Sequence, residues 1–213
     1  MKVLFLTDSV SLPRKHKNGQ VLWEEIYYSK FKQQFPSVDF LLVGMGGATI
    51  SQLQLALNYY DCYQADILVL QSGIVDCAPR AFSQFEQQVI TKLRLVRFVK
   101  PLTKFLRKHR HISFTKPRVF EEQLLKIKKK FDGKPTIAIG ILPGNQAYEQ
   151  VVPGISTCIE RYNSILKKHM QFIDNSDFSP NGVLEDHHHL NALGQQIIFD
   201  KLVAVLQPYL QQA

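Results

Sequence analysis

The stretch KVLFLTDS, residues 2–9, joins a run of apolar residues directly to a polar turn. An uninterrupted apolar run of this length is typical of a strand that is buried on both faces, as the strands of parallel sheets are. The run ends at Thr7, and Asp8 and Ser9 follow it without a linker. We therefore expect a buried first strand whose carboxyl end presents polar side chains.

Similar apolar runs recur along the chain. They lie at 38–44 (VDFLLVG), 65–73 (ADILVLQSG), 135–142 (PTIAIGIL) and 170–174 (MQFID). Segments with helical spacing lie at about 20–35, from Ile50 onward, at about 155–169 and from about Asn191 to Leu206. Buried strands that alternate with amphipathic helices predict a parallel sheet covered on both faces. The expected fold is α/β, a flavodoxin-like three-layer α/β/α sandwich with a five-stranded parallel sheet. A length of 213 residues is enough for one domain, 1–213, and short for two.

Residues 81–131 are more than one crossover needs, and they predict an inserted helical hairpin. One predicted helical face is apolar and consists of Leu95, Phe98, Leu102, Phe105 and Leu106. Another face is polar and consists of Arg97, Lys100, Lys104, Arg107 and His111. Pro101 should kink or split this helix, because proline lacks the backbone N–H that a helix interior uses.

The net charge of +8 is concentrated in the same segment. No carboxylate occurs between Gln87 and Phe120. The cationic residues of this stretch are Lys92, Arg94, Arg97, Lys100, Lys104, Arg107, Lys108, Arg110, Lys116 and Arg118. Such an excess indicates either a solvated helical face or an anionic partner, so an anionic membrane surface or a polyanion is a candidate partner of 92–118. Nucleic acid is not expected, because no recognised binding module accompanies the charge and few aromatic residues interleave with it.

The cysteines and the apolar runs bear on location. Cys62, Cys77 and Cys158 are far apart and have neither a disulfide-framework nor a zinc-site spacing. The first apolar run stops too early for a signal peptide, and no segment approaches the roughly 18 apolar residues of a membrane span. We expect a cytoplasmic protein with reduced thiols, peripheral to the inner face of the membrane if the basic segment binds lipid.

The carboxyl ends of parallel strands meet at one edge of a sheet, so polar residues that follow the strands should assemble there. Ser9 follows the first strand, but a serine hydroxyl needs a base within hydrogen-bond reach before it can attack a carbonyl. Histidine suits that role because its ordinary pKa lies near neutrality. His189 directly precedes the last helix, and Asp186 can bend back to accept from its other ring nitrogen. These three residues are the predicted catalytic group.

Two other sites can be weighed from residue types alone. The turn GMGGAT, residues 44–49, precedes a helix, and its glycines would let backbone N–H groups approach a developing negative charge. The adjacent histidines His187, His188 and His189 could in principle hold a metal, but zinc sites favour spaced ligands, so no metal is expected.

Together these motifs resemble the SGNH (GDSL-type) hydrolase superfamily, whose short sequence blocks occur here in order over nearly the whole chain. The matching residues are Thr7-Asp8-Ser9, Gly47, Gly73-Ile74-Val75-Asp76 and Asp186-His187-His188-His189-Leu190-Asn191. The resemblance implies a nucleophile at Ser9, a base at His189 oriented by Asp186, and an oxyanion hole formed by the backbone N–H groups of Ser9 and Gly47.

Val75 departs from the family pattern, which places there an asparagine whose side chain is a third oxyanion donor. Losing one such donor typically lowers the rate by about 10²–10³. Four other polar residues near strand ends are candidate replacements: Gln71, Ser72, Arg80 and Asn145. Asp76 and Arg80 either form a structural ion pair or contact the substrate, and Asn145 is a further candidate contact.

The stretch GIVDCAPR, residues 73–80, also resembles SGNH-like proteins associated with bacterial surface-polysaccharide synthesis. The resemblance implies a serine esterase that removes O-acyl groups, above all O-acetyl groups, from a glycan through an acyl-serine intermediate. One alternative is an O-acyltransferase with the same triad, which would need a donor such as acetyl-CoA. Another is a catalytically degenerate protein that binds a glycan or a membrane surface. No other cofactor is expected.

Overall fold

The computed structural model describes residues 1–16, 19–110 and 112–211, with the side chain of Gln84 left out. The predicted basic-face residue His111 lies outside the described residues. The strands are β1 (Lys2–Thr7), β2 (Arg14–His16), β3 (Gly19–Val21), β4 (Asp39–Gly44), β5 (Ile67–Gln71), β6 (Thr136–Ile139) and β7 (Gln171–Ile173). The α-helices are α1 (Tyr27–Gln34), α2 (Ile50–Leu57), α3 (Ile74–Cys77), α4 (Gln84–Lys92), α5 (Val96–Val99), α6 (Thr103–Arg110), α7 (Pro117–Lys129), α8 (Gln146–Val151), α9 (Ile155–His169) and α10 (Ala192–Leu210).

The main sheet has five parallel strands in the order β4-β1-β5-β6-β7. The side chains of β5 and β6 are buried throughout, because helices cover both faces of the sheet. This order is the flavodoxin-like one, so the predicted three-layer α/β/α sandwich is confirmed.

The strand order reverses beside β1, since the chain goes from β1 to one neighbour, β4, and then returns to the other, β5. Ligands of open α/β sheets bind at such a reversal, beyond the carboxyl ends of the strands. Backbone hydrogen bonds from Asp8 to Gln71 (3.0 Å) and from Met45 to Thr7 (2.9 Å) continue the ladder past the end of β1. Ser9 is thereby held at the point where the fold favours a ligand.

The helix predicted over 20–35 is shorter than expected. Gln20 and Val21 belong to β3, which pairs with β2 in a small antiparallel ribbon, and a 3₁₀ turn at Trp23–Glu25 precedes α1. Cross-strand hydrogen bonds have replaced the helical ones in this first part. The apolar spacing of Val21 and Ile26 reflects burial and not a helix, since both side chains are buried although neither residue is helical.

The predicted insertion over 81–131 divides into two parts. Helix α7 buries Phe120, Leu124 and Ile127 and packs against α2 and α9, so it belongs to a helical layer of the sandwich. The part outside the layers is 84–110, which we call the basic insertion. Pro101 lies in a 3₁₀ turn, Lys100–Leu102, that separates α5 from α6, as proline chemistry predicted. None of the helices in the described part of the chain combines the length and the hydrophobicity that a membrane crossing requires.

Candidate active site

Ser9, His189 and Asp186 form a continuous hydrogen-bonded chain, although Ser9 is far from the other two in sequence. The Ser9 Oγ lies 3.0 Å from His189 Nε2, and His189 Nδ1 lies 2.7 Å from Asp186 Oδ2. The Ser9 hydroxyl donates to Nε2, and Nδ1–H donates to the carboxylate. This geometry is what a serine nucleophile, its base and the residue that orients the base require.

Ser9 opens a 3₁₀ turn that leaves β1. The carboxylate of Asp8 caps this turn by accepting from the backbone N–H of Val10 at 3.0 Å. The side chain of Gln195 on α10 is fully buried, donates to the Val10 carbonyl and accepts from the backbone N–H of Tyr27. Residues of β1, α1 and α10 therefore fix the direction of the nucleophile.

The loop that carries Asp186 and His189 is closed by its own hydrogen bonds. Asp186 Oδ1 accepts from the backbone N–H of His189 at 3.0 Å, which bends the chain back so that Oδ2 meets the imidazole ring. His187 has a positive φ of 66°, the left-handed conformation that this reversal needs. The Leu184 N–H donates to the His189 carbonyl at 2.8 Å and closes the base of the loop.

The first turn of α10 packs directly on the segment that precedes this loop. Asn191 caps α10 by accepting from the Gly194 N–H, and its amide donates to the carbonyl of Val183. A Cβ on Gly194 would lie 2.0 Å from the Gly182 carbonyl oxygen, so the contact needs glycine. The positions of Asn191 and Gly194 thus set where His189 stands relative to Ser9.

The electrostatics of the loop keep Asp186 ionised. Partial burial raises the pKa of Asp186, but hydrogen bonds from the ring and backbone N–H groups of His189 hold that pKa well below its ordinary value. Burial and the neighbouring His189 ring lower the pKa of His188. A fixed negative charge behind the His189 ring favours the tautomer with hydrogen on Nδ1, which leaves Nε2 free to accept the serine proton.

Gly47 lies in the turn between β4 and α2, with a left-handed φ of 69°. β1 and β4 pair in parallel with Thr7 opposite Gly44, so Ser9 and Gly47 follow neighbouring strand ends. Both oxygens of Asp76 accept from the backbone N–H of Ile50, each at 3.1 Å, at the start of α2. The register therefore places the predicted oxyanion turn at the strand end next to the one that carries Ser9, and Asp76 anchors the start of the helix that follows the turn.

The remaining predicted site residues have different surroundings. Asp76 is fully buried, so its anchoring of α2 replaces the predicted substrate contact or ion pair with Arg80. Asn145 caps α8 by accepting from the Tyr148 N–H at 2.7 Å, which is also a positioning role. Gln71 is buried and accepts from the hydroxyl of Tyr27, and Ser72 is buried next to Asp76.

Arg80 and Val75 both face a cavity of about 320 Å³ that reaches Ser9. Its other lining residues are Ile74, Ala78, Pro79, Arg107, Tyr148, Val151, Val152, Glu185, Asp186, His187 and His188. A volume of this size falls within the usual range of small-molecule sites. Of the four residues considered as replacements for the missing asparagine, Arg80 is the one that lines this cavity.

Asp186, His188 and His189 could by spacing hold a metal ion, because one ligand atom of each lies within 4.8 Å of the others. Both ring nitrogens of His189 are already engaged, one with Ser9 and one with Asp186. His188 Nδ1–H donates to the Asp186 carbonyl at 2.8 Å. A metal bound there would compete with the hydrogen bonds that join His189 to Ser9 and Asp186.

Sequence reasoning missed Gln195, Tyr148 and, as a member of this cavity, Arg107. Gln195 is a polar residue in an apolar helix, and that contrast is a usable signal for a buried hydrogen-bonding role. The ring of Tyr148 stacks on that of His188, with centroids 5.7 Å apart and planes 15° apart. Neither Tyr148 nor Arg107 carries a local signal, since both reach the cavity only through tertiary packing.

No protein-family model matches the sequence, and no curated protein matches it significantly. Solved structures match along nearly their whole length. The chain is similar to a lipase/acylhydrolase from Enterococcus faecalis, with a TM-score of 0.69 and 14% identity over 98% of this chain and 96% of that one. It is also similar to a member of the lipolytic G-D-S-L family from Veillonella parvula, with a TM-score of 0.63 and 13% identity over 97% and 98%.

A third similar structure is a catalytic mutant of Axe2, an acetylxylan esterase from Geobacillus stearothermophilus. Its TM-score is 0.59, and the identity is 16% over 95% of this chain and 92% of that one. These structures, read together with the sheet order, show that the chain has the SGNH (GDSL-type) hydrolase fold. Within that fold it combines a hydrogen-bonded Ser9–His189–Asp186 group with a valine, Val75, beside the nucleophile.

Proposed function

We propose that the protein is a serine esterase that removes an O-acyl group, in particular an O-acetyl group, from a glycan. The observation that carries the proposal is the 3.0 Å contact between Ser9 Oγ and His189 Nε2, with Asp186 bonded to the opposite ring nitrogen. This arrangement supports catalysis, because binding alone does not require a serine paired with a base. The similarity to esterases, one of them described as an acetylxylan esterase, supports the reaction class and the carbohydrate ester.

The reaction follows from the geometry in two steps. Ser9 Oγ attacks the ester carbonyl while its proton moves to His189 Nε2, and the negative charge on the carbonyl oxygen is met by the N–H groups of Ser9 and Gly47. The C–O bond to the sugar then breaks, and His189 returns the proton to the leaving sugar oxygen. Water then attacks the acyl-serine in the same way, with His189 as the base, and releases the carboxylic acid. The steps require no metal and no tightly bound cofactor.

An O-acyltransferase is the second candidate function, because the acyl-serine can pass its acyl group to a sugar hydroxyl instead of to water. The cationic residues at the cavity favour this candidate, since they would attract the phosphates of an acetyl-CoA donor. A non-catalytic glycan-binding protein is the third candidate, and Val75 is the residue that favours it.

Labelling with a fluorophosphonate probe, together with hydrolysis of p-nitrophenyl acetate, tests the proposal. We expect Ser9 to be labelled in the wild-type protein and not in the Ser9→Ala variant, and labelling to be lost in His189→Ala. Asp200→Asn, a substitution at an exposed position that the proposed reaction does not use, is the control and should be labelled as the wild type is. Unlabelled wild-type protein that still binds acetylated oligosaccharides would support the non-catalytic candidate.

Product analysis separates hydrolysis from transfer. With an acetylated oligosaccharide as the sole substrate, an esterase releases free acetate at the rate at which the ester disappears. A transferase releases acetate slowly until a second sugar is supplied, and then forms a new sugar ester.

A further inference from the structure

The cavity beside Ser9 contains two guanidinium groups that the proposed reaction does not use. Arg80 and Arg107 both line it, and each side chain is half-buried. The Nε of each is buried and has no hydrogen-bond partner among the described residues. In the described ranges 1–16, 19–110 and 112–211, neither guanidinium forms an ion pair with a carboxylate.

Arg80 is held rigidly in this position. Its backbone N–H donates to the Ile112 carbonyl at 2.7 Å, and its guanidinium carbon lies 4.3 Å from the centre of the Phe114 ring. Its Nη2 donates to the Val75 carbonyl at 3.3 Å. These contacts fix the guanidinium plane, so the part of the group that lines the cavity is preorganised to bind a ligand.

Arg107 reaches the same cavity from α6 of the basic insertion. Its Nη1 donates to the Val151 carbonyl at 3.2 Å, at the end of α8. This bond ties the insertion to the sandwich and makes Arg107 part of the cavity wall. The insertion is therefore connected to the site of chemistry, and not only to the outer surface.

The two positive charges affect each other. Burial lowers the pKa of Arg80, Tyr148 counters the decrease, and nearby Arg107 lowers the pKa further. Like charges in a half-buried cavity repel each other unless an anion lies between them. Glu185 and Asp186 also line the cavity, but the carboxylate of Asp186 is committed to His189, and that of Glu185 lies 3.6 Å from the ring of His16. An anion is thus favoured on the side formed by Arg80, Arg107, Tyr148 and Val151.

We infer that Arg80 and Arg107 form a subsite for an anionic group on the molecule whose ester bond Ser9 attacks. The inference rests on the proposed function and narrows it to anionic substrates. A guanidinium binds carboxylate or phosphate oxygens through paired hydrogen bonds, so either a carboxylate-bearing sugar or a phosphate-bearing acyl donor has the required chemistry.

Kinetics with matched esters test the subsite. The acidic probe is an acetylated oligogalacturonide, the neutral probe is an acetylated xylo-oligosaccharide, and acetyl-CoA is the phosphate-bearing probe. We expect the ratio of kcat/KM for the preferred anionic probe to that for the neutral probe to fall about 10- to 100-fold in Arg80→Gln and in Arg107→Gln. Arg80→Lys should recover part of the ratio, because it keeps the charge but not the planar fork.

Arg97→Gln is the matched control, since it removes the same charge as Arg107→Gln from the same insertion, but at an exposed position. It should leave the ratio unchanged. A preference for the oligogalacturonide identifies a carboxylate-bearing sugar, and a preference for acetyl-CoA identifies a phosphate-bearing donor. A wild-type protein with equal kcat/KM for the acidic and neutral probes would overturn the subsite and leave the esterase proposal standing.

A binding measurement keeps the test independent of catalysis. Calorimetric titration of Ser9→Ala with deacetylated oligogalacturonide and with inorganic phosphate should show binding that weakens about tenfold or more when Arg80→Gln or Arg107→Gln is added. If Arg80→Gln does not fold, Arg107→Gln carries the test. Binding that is unaffected by both substitutions contradicts the subsite, whether or not the wild-type protein hydrolyses esters.

The outer surface of the basic insertion carries a second, independent observation, which is its exposed apolar side chains. Phe85 and Phe98 are each 74% exposed, Phe105 is 62% exposed and Leu93 is 59% exposed. Phe85 and Val89 share one face of α4, and Leu93 follows at the same interval of four residues just past the end of the helix. Large exposed aromatic residues of this kind mark an interaction surface.

The charge of the insertion indicates what covers this surface. Cationic residues are interspersed with the apolar ones along the sequence, and the stretch 87–120 has no carboxylate. A second copy of the chain would bring the same positive charges together, which disfavours self-association. We propose that the basic insertion binds an anionic lipid bilayer, with the phenylalanines in the headgroup region and the lysines and arginines facing the lipid phosphates. A location at the cytoplasmic face of the membrane, where anionic lipids are exposed, accords with it.

Vesicle sedimentation tests this interaction. We expect binding to phosphatidylcholine vesicles that contain about 30% phosphatidylglycerol, weak binding to pure phosphatidylcholine, and loss of most binding at high salt. The double variant Phe98→Ser, Phe105→Ser should lose affinity for these vesicles by about tenfold or more. Leu55→Ser with Tyr59→Ser, which removes two exposed apolar side chains outside the insertion without changing the charge, is the matched control and should bind as the wild type does.

Equal binding to neutral and anionic vesicles, or none to either, would overturn the proposal. Binding that the phenylalanine substitutions leave unchanged would instead indicate a purely electrostatic surface for a soluble polyanion. Titration with alginate as the polyanion then measures that alternative directly.

Discussion

The loop that carries Asp186 and His189 is held differently from the basic insertion. The loop at 184–191 is closed by its own backbone and side-chain hydrogen bonds and rests on α10. The insertion at 84–110 has no fully buried side chain among those described, and α4, α5 and α6 present large apolar residues to solvent. The loop is suited to a reaction that tolerates little displacement, and the insertion to recognition of a partner or substrate.

Arg107 and Arg80 connect the two regions. Arg107 anchors the basic insertion to the end of α8 through the Val151 carbonyl. The backbone of Arg80 pairs with Ile112, which lies just past the C-terminal end of the insertion. Changes in the loop should therefore affect every substrate, whereas changes in the insertion should affect only some. The predictions below test this difference, beginning with the largest expected effect.

Asp186→Asn should have the largest effect on the catalytic loop. The amide cannot hold His189 in the tautomer that accepts the Ser9 proton, and in serine hydrolases the loss of this orientation lowers kcat by about 10⁴. We expect a decrease of this order for neutral and anionic esters alike. Steady-state kinetics on p-nitrophenyl acetate and on an acetylated oligosaccharide provide the measurement, and Asp177→Asn at the surface is the control. A decrease limited to one substrate would contradict a common catalytic role.

Val75→Asn tests whether the site lacks a third oxyanion donor. Val75 lines the cavity together with Ser9, and an asparagine amide there could donate to the developing negative charge. One such donor is worth about 10²–10³ in rate where it is missing. We expect kcat to rise by about tenfold or more, with Val75→Leu as the size control. An unchanged kcat would mean that another group, with Arg80 as the nearest candidate, already supplies the donor.

Gly194→Ala should destabilise the whole loop region. A Cβ would lie 2.0 Å from the Gly182 carbonyl oxygen, so α10 must shift away from the segment before the loop. We expect the free energy of unfolding to fall by about 3 kcal/mol, toward the upper end of overpacking effects. Urea unfolding measures it. Gly46→Ala, where a Cβ meets nothing within 4 Å, is the matched control and should change stability little.

Asp8 should make stability depend on pH. Burial raises the pKa of Asp8 to about 7, the hydrogen bond from Val10 opposes this, and Asp76 adds to the increase. The native state therefore holds a proton that the unfolded chain has released, so stability is greatest at low pH and decreases as pH rises through 7. Burial also raises the pKa of Asp76, to about 6, with the same sign.

We expect the wild-type protein to lose about 2 kcal/mol between pH 5 and pH 8 through Asp8, and Asp8→Asn to lose clearly less. Urea denaturation at a series of pH values provides the comparison. The asparagine can still accept from the Val10 N–H, so its own stability should remain near that of the wild type at pH 5. A parallel decrease in both proteins would show that Asp8 does not titrate in this range.

Much of the fold, and the residues of the hydrogen-bonded Ser9–His189–Asp186 group, could be predicted because the signals are local. Five apolar runs predicted five buried strands, and helical spacing predicted α9 and α10 closely. The start of α1 was wrong, because the ribbon pairing of β2 with β3 depends on residues outside the helix pattern. The residues of the cavity wall could not be predicted, since Arg107 and Tyr148 meet the nucleophile only when separate helices pack together.

By itself the sequence determined the parallel sheet, because runs of apolar residues encode buried strands, and it singled out Ser9, His189 and Asp186 as the candidate catalytic group. Only the tertiary structure decided that Asp76 and Asn145 anchor helices, that Val75 and Arg80 share a cavity with Ser9, and that Arg107 closes that cavity. The physical reason is that a side chain's partner in a folded protein is set by the packing of elements far apart in sequence, whereas residue type determines only which partners it can have.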